Sequence, residues 1–392
     1  MPGEREHDLA LFGATGFTGG LTADYLAANA PAGLRWALVG RNRAKLEAVA
    51  TRLAAANPEA PVPELLVADA ADPPALAKVA EAARVVITTV GPYALYGAPL
   101  VAACAAAGTD YVDLTGEPEF VDRMWLENHA AARRSGARIV HCCGFDSIPH
   151  DLGAYFTVKQ LPEGVPLTVD GYVKSNAQFS GGTYHSAING FARGRQTLAA
   201  AKQRRAVEPR PAGRQVHSAS ARVRRVPELG GWAAPLPTID GTVVRRSAAA
   251  VDRYGPDFTY GHNLVAKRLA TIGGVAAGVG TVAVLAPIPP ARKLLLKAKS
   301  PGEGPSVSTR AGSWFRVRFV GEGGGERAVT EVSGGDPGYS ETSKMLAESA
   351  LCLAFDENPE SAGQVTTVAS MGDMLLTRLQ SAGIAFRVLE GA

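Results

Sequence analysis

Cysteine is scarce in this chain, and its four thiols lack the spacing that metal sites use. Cys142 and Cys143 are adjacent, Cys104 and Cys352 stand alone, and no C-x-x-C occurs. Because adjacent cysteines rarely bridge each other, we expect reduced thiols, a cytoplasmic setting and no bound metal.

An excess of charge of either sign is also absent, because 40 Lys and Arg face 37 Asp and Glu and leave a net charge of +3. Nothing in this balance points to nucleic acid as a partner. The basic stretch at 202–225 has no interleaved aromatic residues, so we expect a solvated face there. The polar segment 1–7 has no apolar secretory core. Hydrophobic residues make up 46% of the 392 residues, enough for two or three domains with a substantial core.

The clearest motif is the stretch Leu9–Gly20, an apolar run that leads into three glycines spaced G-x-x-G-x-x-G. Gly13 allows a sharp turn, Gly16 leaves room for a pyrophosphate, and Gly19 lets the following helix pack closely. Phosphates would then bind at the helix N-terminus, where free N–H groups and the helix dipole favour negative charge. The sequence therefore predicts a dinucleotide site formed by Gly13, Thr15, Gly16, Phe17, Thr18 and Gly19.

A second apolar strand, at 35–41, ends in Gly40-Arg41. NAD enzymes of this kind usually place an acidic residue there to bind the ribose hydroxyls. Arg41 can instead pair with a 2′-phosphate, and Lys45 follows close behind. Cations are disfavoured at a helix start, so a merely solvating role is the weaker alternative. NADP is therefore the predicted cofactor, with Asp69 at the end of the third strand as a further contact.

Apolar, β-branched strands alternate with helical segments between residues 9 and 143. This rhythm predicts an α/β fold with a Rossmann-type, doubly wound parallel sheet. Ligands of such sheets bind at the carboxyl ends of the strands. Val90, Gly91 and Pro92 follow the fourth strand, where their backbone is expected to orient the nicotinamide ring.

The rhythm stops near residue 152, and the later segments indicate a second domain of α+β type. Strands are predicted over 167–175, 314–320 and 328–333, and helices over 187–193, 343–355 and 371–382. We expect an NADP-binding domain at 1–148, a substrate domain at 149–340, and a helical segment at 341–392 that returns to the first domain.

An uncharged stretch at 269–290 is rich in Gly and Ala, ends in prolines and has no aromatic belt. Its length matches a membrane span, whereas its composition also suits other helices. Three interpretations stay open: a buried helix or lid, an element that lies on a lipid or membrane surface, and a true span.

Several titratable residues follow the strands whose ends should meet the nicotinamide. We predict catalytic, proton-handling roles for Tyr93, His150 and Asp146, and a hydrogen-bonded structural role is the alternative for each. A different assignment uses Tyr155 and Lys159, which have the spacing by which short-chain reductases lower a tyrosine pKa.

A set of motifs is spread over the chain at 13–19 (GATGFTG), 40–41 (GR), 90–93 (VGPY), 113–117 (DLTGE), 144–149 (GFDSIP), 180–183 (SGGT), 301–305 (PGEGP) and 335–339 (GDPGY). With this set the chain resembles the saccharopine dehydrogenase-like oxidoreductases, in particular the branch that includes the bacterial trans-acting enoyl reductases. The resemblance runs over residues 9–355. The tail at 363–368 departs from the family pattern, which has a Gly-Gly-x-x-Thr-Pro-like turn there.

This resemblance implies NADP as cofactor, a second domain with a mixed sheet, and reduction of an enoyl substrate. The leading hypothesis is an NADPH-dependent reductase of a small-molecule, hydrophobic or acyl substrate. A saccharopine-type reductase of amino-acid imines is one alternative, and a non-catalytic NADP-binding protein associated with lipid is another. Peripheral membrane contact through 269–290 and a homodimer also stay open.

Overall fold

Two β-sheets organise the protein, whose computed structural model describes residues 5–177, 181–298 and 304–391. The strands in chain order are β1 (His7–Phe12), β2 (Trp36–Gly40), β3 (Glu64–Val67), β4 (Ala83–Thr88), β5 (Asp110–Asp113), β6 (Arg138–Val140), β7 (Leu167–Ser175), β8 (Gln215–Ser218), β9 (Arg224–Val226), β10 (Gly231–Pro235), β11 (Asp257–Ala266), β12 (Phe315–Gly323), β13 (Glu326–Gly334), β14 (Gly363–Val365) and β15 (Ala385–Glu390).

Helices cover both sheets, and two short 3₁₀ turns lie at Pro227–Leu229 and Asp252–Tyr254. The helices are α1 (Phe17–Asn29), α2 (Arg43–Ala56), α3 (Pro73–Ala82), α4 (Tyr93–Tyr96), α5 (Ala98–Ala107), α6 (Pro118–Ser135), α7 (Ile148–Val158), α8 (Gly181–Ala192), α9 (Gly194–Val207), α10 (Asp240–Ala250), α11 (Leu269–Leu285), α12 (Pro289–Lys297), α13 (Val307–Ala311), α14 (Ser340–Phe355) and α15 (Thr367–Ser381).

The first sheet has seven parallel strands in the order β14-β6-β5-β4-β1-β2-β3. The strand order reverses between β1 and β4, which is the switch point where doubly wound sheets bind their ligands. Strands β1 and β2 are buried along their whole length, because helices cover both faces. The predicted α/β class with a Rossmann-type sheet is confirmed.

The second sheet is mixed, with the order β15-β13-β12-β7-β11-β10-β9 and with β8 also beside β11. The β7–β11 and β8–β11 pairs are parallel, whereas β12 pairs antiparallel with both β7 and β13. Phe315, Val317 and Phe319 alternate inward along β12, as the sequence pattern indicates. A second domain of α+β type is therefore confirmed.

One hydrophobic core connects the two sheets. It runs from Leu9 and Val85 of the first sheet, through Leu351 of α14 and Leu375 of α15, to Phe319 of the second sheet. The loop after β6 also meets the second sheet, because the Phe145 ring lies 5.1 Å from the Phe315 ring of β12.

The tail contains two strands that the sequence pattern did not indicate. Strand β14 pairs in parallel with β6, and β15 pairs antiparallel with β13, so the two ends of this segment join different sheets. Three-residue and edge strands of this kind carry too little periodicity for detection. The domain boundaries at 148 and 340 stay predictions.

Two surface expectations need correction. The interpretation of 269–290 as a buried helix is wrong, because Ile272 is the only buried residue of α11. Among the described residues, every helix is too short or too polar to cross a bilayer. In the basic stretch, Arg204 is not solvated: it is buried against Asp122 and Glu208.

Candidate functional site

The glycine loop after β1 has the geometry of a phosphate cradle. Gly13 adopts φ +92°, and a Cβ on Gly19 would lie 2.1 Å from the Gly13 carbonyl oxygen, so neither position accepts a larger residue. Gly16 precedes α1 without a side-chain cap, and Thr15 and Gly16 are exposed. The first-turn N–H groups of α1 are thus free to bind an anion.

Phe17 and Thr18 contact the second half of the chain, Phe17 through its ring and Thr18 through its backbone carbonyl. The Phe17 ring meets Tyr339 edge-on at 4.8 Å, and the Arg310 guanidinium lies 5.3 Å from its centre. The Thr18 carbonyl accepts a bond from the Ser343 hydroxyl at 3.4 Å. These contacts anchor the loop to the second half of the chain, and the Phe17 ring is taken up by them. Ser180 and residues 301–303 of the motif set lie outside the described residues.

Three cationic side chains follow β2, as the sequence shows, and they differ in whether they form an ion pair. Arg43 pairs with Glu47 at 3.1 Å, whereas within the described ranges Arg41 and Lys45 form no ion pair with a side chain. The Lys45 backbone N–H is capped by the Asn42 side chain. Asp69, at the neighbouring strand end, is exposed and accepts a bond from the Ala71 N–H at 2.9 Å.

The segment after β4 is held by side chains that the sequence did not single out as structural. The Glu117 carboxylate accepts bonds from the Tyr93 N–H at 3.1 Å, from the Ala94 N–H at 2.9 Å and from the Ser186 hydroxyl at 2.8 Å. The bonds to the two amides hold the start of α4, which follows Val90, Gly91 and Pro92 directly in the chain.

Tyr93 lies beneath this segment, not in an open cleft. Its buried hydroxyl donates to the Thr88 carbonyl at 3.1 Å and accepts from the Leu114 N–H at 3.2 Å. Burial raises the pKa of Tyr93 well above its usual value. The structure thus gives Tyr93 the structural contacts that were the alternative to its predicted catalytic role.

Tyr155 and Lys159 also find a structural partner. Both side chains bind the Asp373 carboxylate of α15, with the Tyr155 hydroxyl at 3.4 Å. The assignment that follows the short-chain reductase pattern gains no support from this geometry.

The loop after β6 brings Asp146 and His150 together with two residues from the second domain. The Phe145 ring contacts the rings of His150 and Phe315, each at 5.1 Å. Behind it, His150 lies beside Asp240 of α10 and His262 of β11. Asp240 and His262 are about 90 residues or more from His150, and no local pattern in the sequence links the three.

Burial shifts the pKa values of both Asp146 and His150. Burial, reinforced by the charge of Asp240, raises the pKa of Asp146 to about 8. Burial also lowers the pKa of His150 to about 4. A protonated Asp146 and a neutral His150 therefore coexist near neutral pH.

Comparisons with known proteins agree with this geometry. Residues 9–140 match the family model of the saccharopine dehydrogenase NADP-binding domain, so the protein binds NADP. The structure is similar to apo saccharopine dehydrogenase (L-Glu forming) from Saccharomyces cerevisiae, with a TM-score of 0.55, 12% identity, and coverage of 98% of this chain and 100% of that one. At that identity the likeness describes the fold alone.

Similar sequences extend over nearly the whole chain. A Mycobacterium tuberculosis protein provisionally named a trans-acting enoyl reductase is 38% identical over 98% of this chain and 97% of its own. The trans-acting enoyl reductase of Mycobacterium ulcerans is 36% identical over 97% of both chains. The chain therefore belongs to the saccharopine dehydrogenase-like oxidoreductase family, in the branch that includes the bacterial trans-acting enoyl reductases.

Proposed function

We propose that the protein is an NADPH-dependent reductase that delivers a hydride to an enoyl or related hydrophobic acyl substrate. The observation that carries this proposal is that three features follow strands of the first sheet at the same edge. They are the phosphate cradle, the Asp146 loop, and Arg41, which has no ion-pair partner among the described residues. The full-length similarity to proteins named enoyl reductases supports the substrate class.

In this proposal the backbone of the glycine loop binds the pyrophosphate, and Arg41, with Lys45 nearby, binds the 2′-phosphate. Asp69 contributes at the adenosine end. Val90, Gly91 and Pro92 orient the nicotinamide, because the Glu117 bonds hold the segment that follows them.

Asp146 is the proton donor that this geometry favours. Enoyl reduction adds a hydride to one alkene carbon and a proton to its neighbour, so it needs an acid beside the nicotinamide. Asp146 follows a strand of the same sheet, and its half-buried carboxyl has a pKa raised to about 8, which favours the protonated form near neutral pH. His150 is the weaker candidate, because burial lowers its pKa to about 4 and keeps its imidazole neutral near neutral pH.

The exposed apolar helices suit a hydrophobic substrate presented at a lipid surface. Helix α8 contacts both α11 and α12, and it reaches the site through the bond from Ser186 to Glu117. Val275 and Val279 are 46% and 44% exposed on α11. Cations flank this apolar surface, which complements an anionic bilayer: Lys267, Arg268, Arg292, Lys293 and Lys297.

The reductase test measures NADPH oxidation with a series of 2-enoyl thioesters of increasing chain length, in parallel with mixtures of an amino acid and a 2-oxo acid. We expect turnover with the thioesters and a preference for longer chains. Turnover only with the imine mixtures would favour the saccharopine-type alternative. NADPH binding without any turnover would favour the non-catalytic protein.

Asp146→Asn tests the proton donor, with Tyr93→Phe as the comparison. We expect Asp146→Asn to lower kcat by about 10²–10⁴-fold with an unchanged Kd for NADPH. Tyr93→Phe should change kcat less than about tenfold, because its hydroxyl is occupied by backbone partners. Full activity of Asp146→Asn would show that another group donates the proton.

Vesicle cosedimentation tests the lipid surface. The doubly substituted Val275→Asp/Val279→Asp protein should lose binding to vesicles that contain phosphatidylglycerol, whereas Leu198→Asp, which changes another exposed apolar residue on α9, should retain it. Equal binding of all three proteins, or no binding of the unsubstituted protein, would exclude this surface.

A further inference from the structure

We propose that His150, Asp240 and His262 form a binding site for a divalent transition metal ion, with Zn²⁺ the best match. The proposal departs from the expectation that the chain binds no metal, which stays untested. That expectation rested on cysteine spacing, whereas these ligands are two imidazoles and a carboxylate brought together by α7, α10 and β11.

Asp240 and His262 already have the spacing of two metal ligands, and His150 lies slightly further away. His150 Nε2 lies 3.8 Å from Asp240 Oδ1, and His262 Nε2 lies 3.4 Å from Asp240 Oδ2. Both separations are long for hydrogen bonds. With metal–ligand bonds of about 2.0–2.1 Å, two ligands of a tetrahedral Zn²⁺ are about 3.3–3.5 Å apart. Ligand atoms of all three residues lie within 4.8 Å of one another.

Several polar atoms of this cluster are buried without a hydrogen-bond partner among the described residues. They include Asp240 Oδ1, which faces His150, and His262 Nε2, which faces Asp240. Asp240 and His150 are each 1% exposed. Buried polar atoms are nearly always satisfied, and a bound cation would satisfy these.

Neighbouring groups orient two of the ligands, as the surroundings of metal sites usually do. The Thr238 hydroxyl donates to Asp240 Oδ2, and the Tyr260 hydroxyl lies 3.3 Å from His262 Nδ1. A partner on Nδ1 leaves Nε2 of His262 to face the metal. Thr238 and His262 also line a cavity of about 390 Å³, through which an ion could enter.

The donor set selects the ion. Two imidazoles and one carboxylate suit Zn²⁺ and comparable transition metals, and they suit Mg²⁺ and Ca²⁺ poorly, because those ions prefer oxygen ligands. Three protein ligands leave a fourth tetrahedral position for water or an added ligand. Bound metal would also link α7, α10 and β11 to one another.

The test uses the full chain, freed of metal by a chelator and studied without NADPH or substrate. We expect ZnCl₂ titration by calorimetry to show one site per chain, Co²⁺ to give the visible absorption of a tetrahedral site, and Zn²⁺ to raise the Tm. His262→Gln should weaken Zn²⁺ binding at least tenfold. His217→Gln, which changes an exposed histidine of β8, should bind as the unsubstituted protein does.

Two results would overturn the proposal. The first is that the unsubstituted protein shows no Zn²⁺ binding in calorimetry and no increase of its Tm with Zn²⁺. This result does not depend on whether a variant folds. The other is equal binding by the unsubstituted protein and by folded His262→Gln, which would place the ion elsewhere. Because no reduction is measured, either result is independent of the reductase proposal.

Discussion

His141 donates a hydrogen bond from Nδ1 to the Asp113 carboxylate, with the two atoms 2.6 Å apart, and so ties the end of β6 to the end of β5. The same buried carboxylate accepts bonds from the Tyr111 hydroxyl at 3.0 Å and from the Cys142 N–H at 3.1 Å. One carboxylate therefore organises the loops that carry the candidate site.

Removal of this carboxylate should destabilise the protein strongly. Asp113→Ala leaves buried donors unsatisfied, and we expect the free energy of unfolding to fall by about 2–5 kcal/mol. Asp252→Ala, at a fully exposed carboxylate, should change it by less than about 0.5 kcal/mol. Urea unfolding followed by circular dichroism measures both. A similar small loss in the two variants would show that the network is dispensable.

The glycine loop offers a matched pair of substitutions. A Cβ on Gly19 would collide with the backbone of Gly13, whereas a Cβ on Gly20 has its nearest neighbour at 3.7 Å. We expect Gly19→Ala to abolish measurable NADPH binding or folding. Gly20→Ala should bind NADPH normally and gain up to about 1 kcal/mol of stability from helix propensity. Normal NADPH binding by Gly19→Ala, seen by fluorescence titration, would contradict this close packing.

Arg41 should determine the preference for NADPH over NADH. Arg41→Asp removes a partner of the 2′-phosphate, and we expect the Kd for NADPH to rise about 10–100-fold while that for NADH changes little. Arg43→Asp carries the same change of charge at a residue committed to Glu47, and it should change the ratio much less. Parallel titrations with both nucleotides give the answer. Equal rises for NADPH and NADH in Arg41→Asp would refute the assignment.

His129 should make stability depend on pH. Burial, assisted by the charges of Arg133 and Arg204, lowers the pKa of His129 from its usual value of 6.5. Its Nδ1 accepts a bond from the Gln364 N–H at 3.1 Å, which holds β14. As the pH falls below 6.5, the unfolded chain takes up a proton that the folded protein refuses. The contribution of His129 is therefore complete above that pH and is lost below it.

Urea unfolding between pH 7.5 and pH 5 measures this effect. The loss of stability over this range should be smaller in His129→Gln than in the unsubstituted protein. His217→Gln, at an exposed histidine, should retain the full loss. An unchanged pH dependence in His129→Gln would place the sensitivity in other groups.

The cofactor half of the protein was predictable because its signals are local. The glycines of the loop lie within seven residues, and Arg41 follows the next strand directly. The chemistry beyond the cofactor was less accessible. Tyr93 has the right position in the chain for a catalytic residue, yet its hydroxyl is bonded to the backbone of Thr88 in β4 and of Leu114 just after β5, which only the pairing of these strands reveals.

The sequence by itself determined the Rossmann-type sheet, the α+β character of the second domain and NADP as the cofactor, because periodicity, β-branched strands and glycine spacing act over a few residues. Only the tertiary structure decided that the apolar segment 269–285 lies exposed, since burial depends on which surfaces remain to cover it. It alone brought His150, Asp240 and His262 within reach of one another. Three elements distant in the chain form that cluster, and long-range packing, not local pattern, sets such distances.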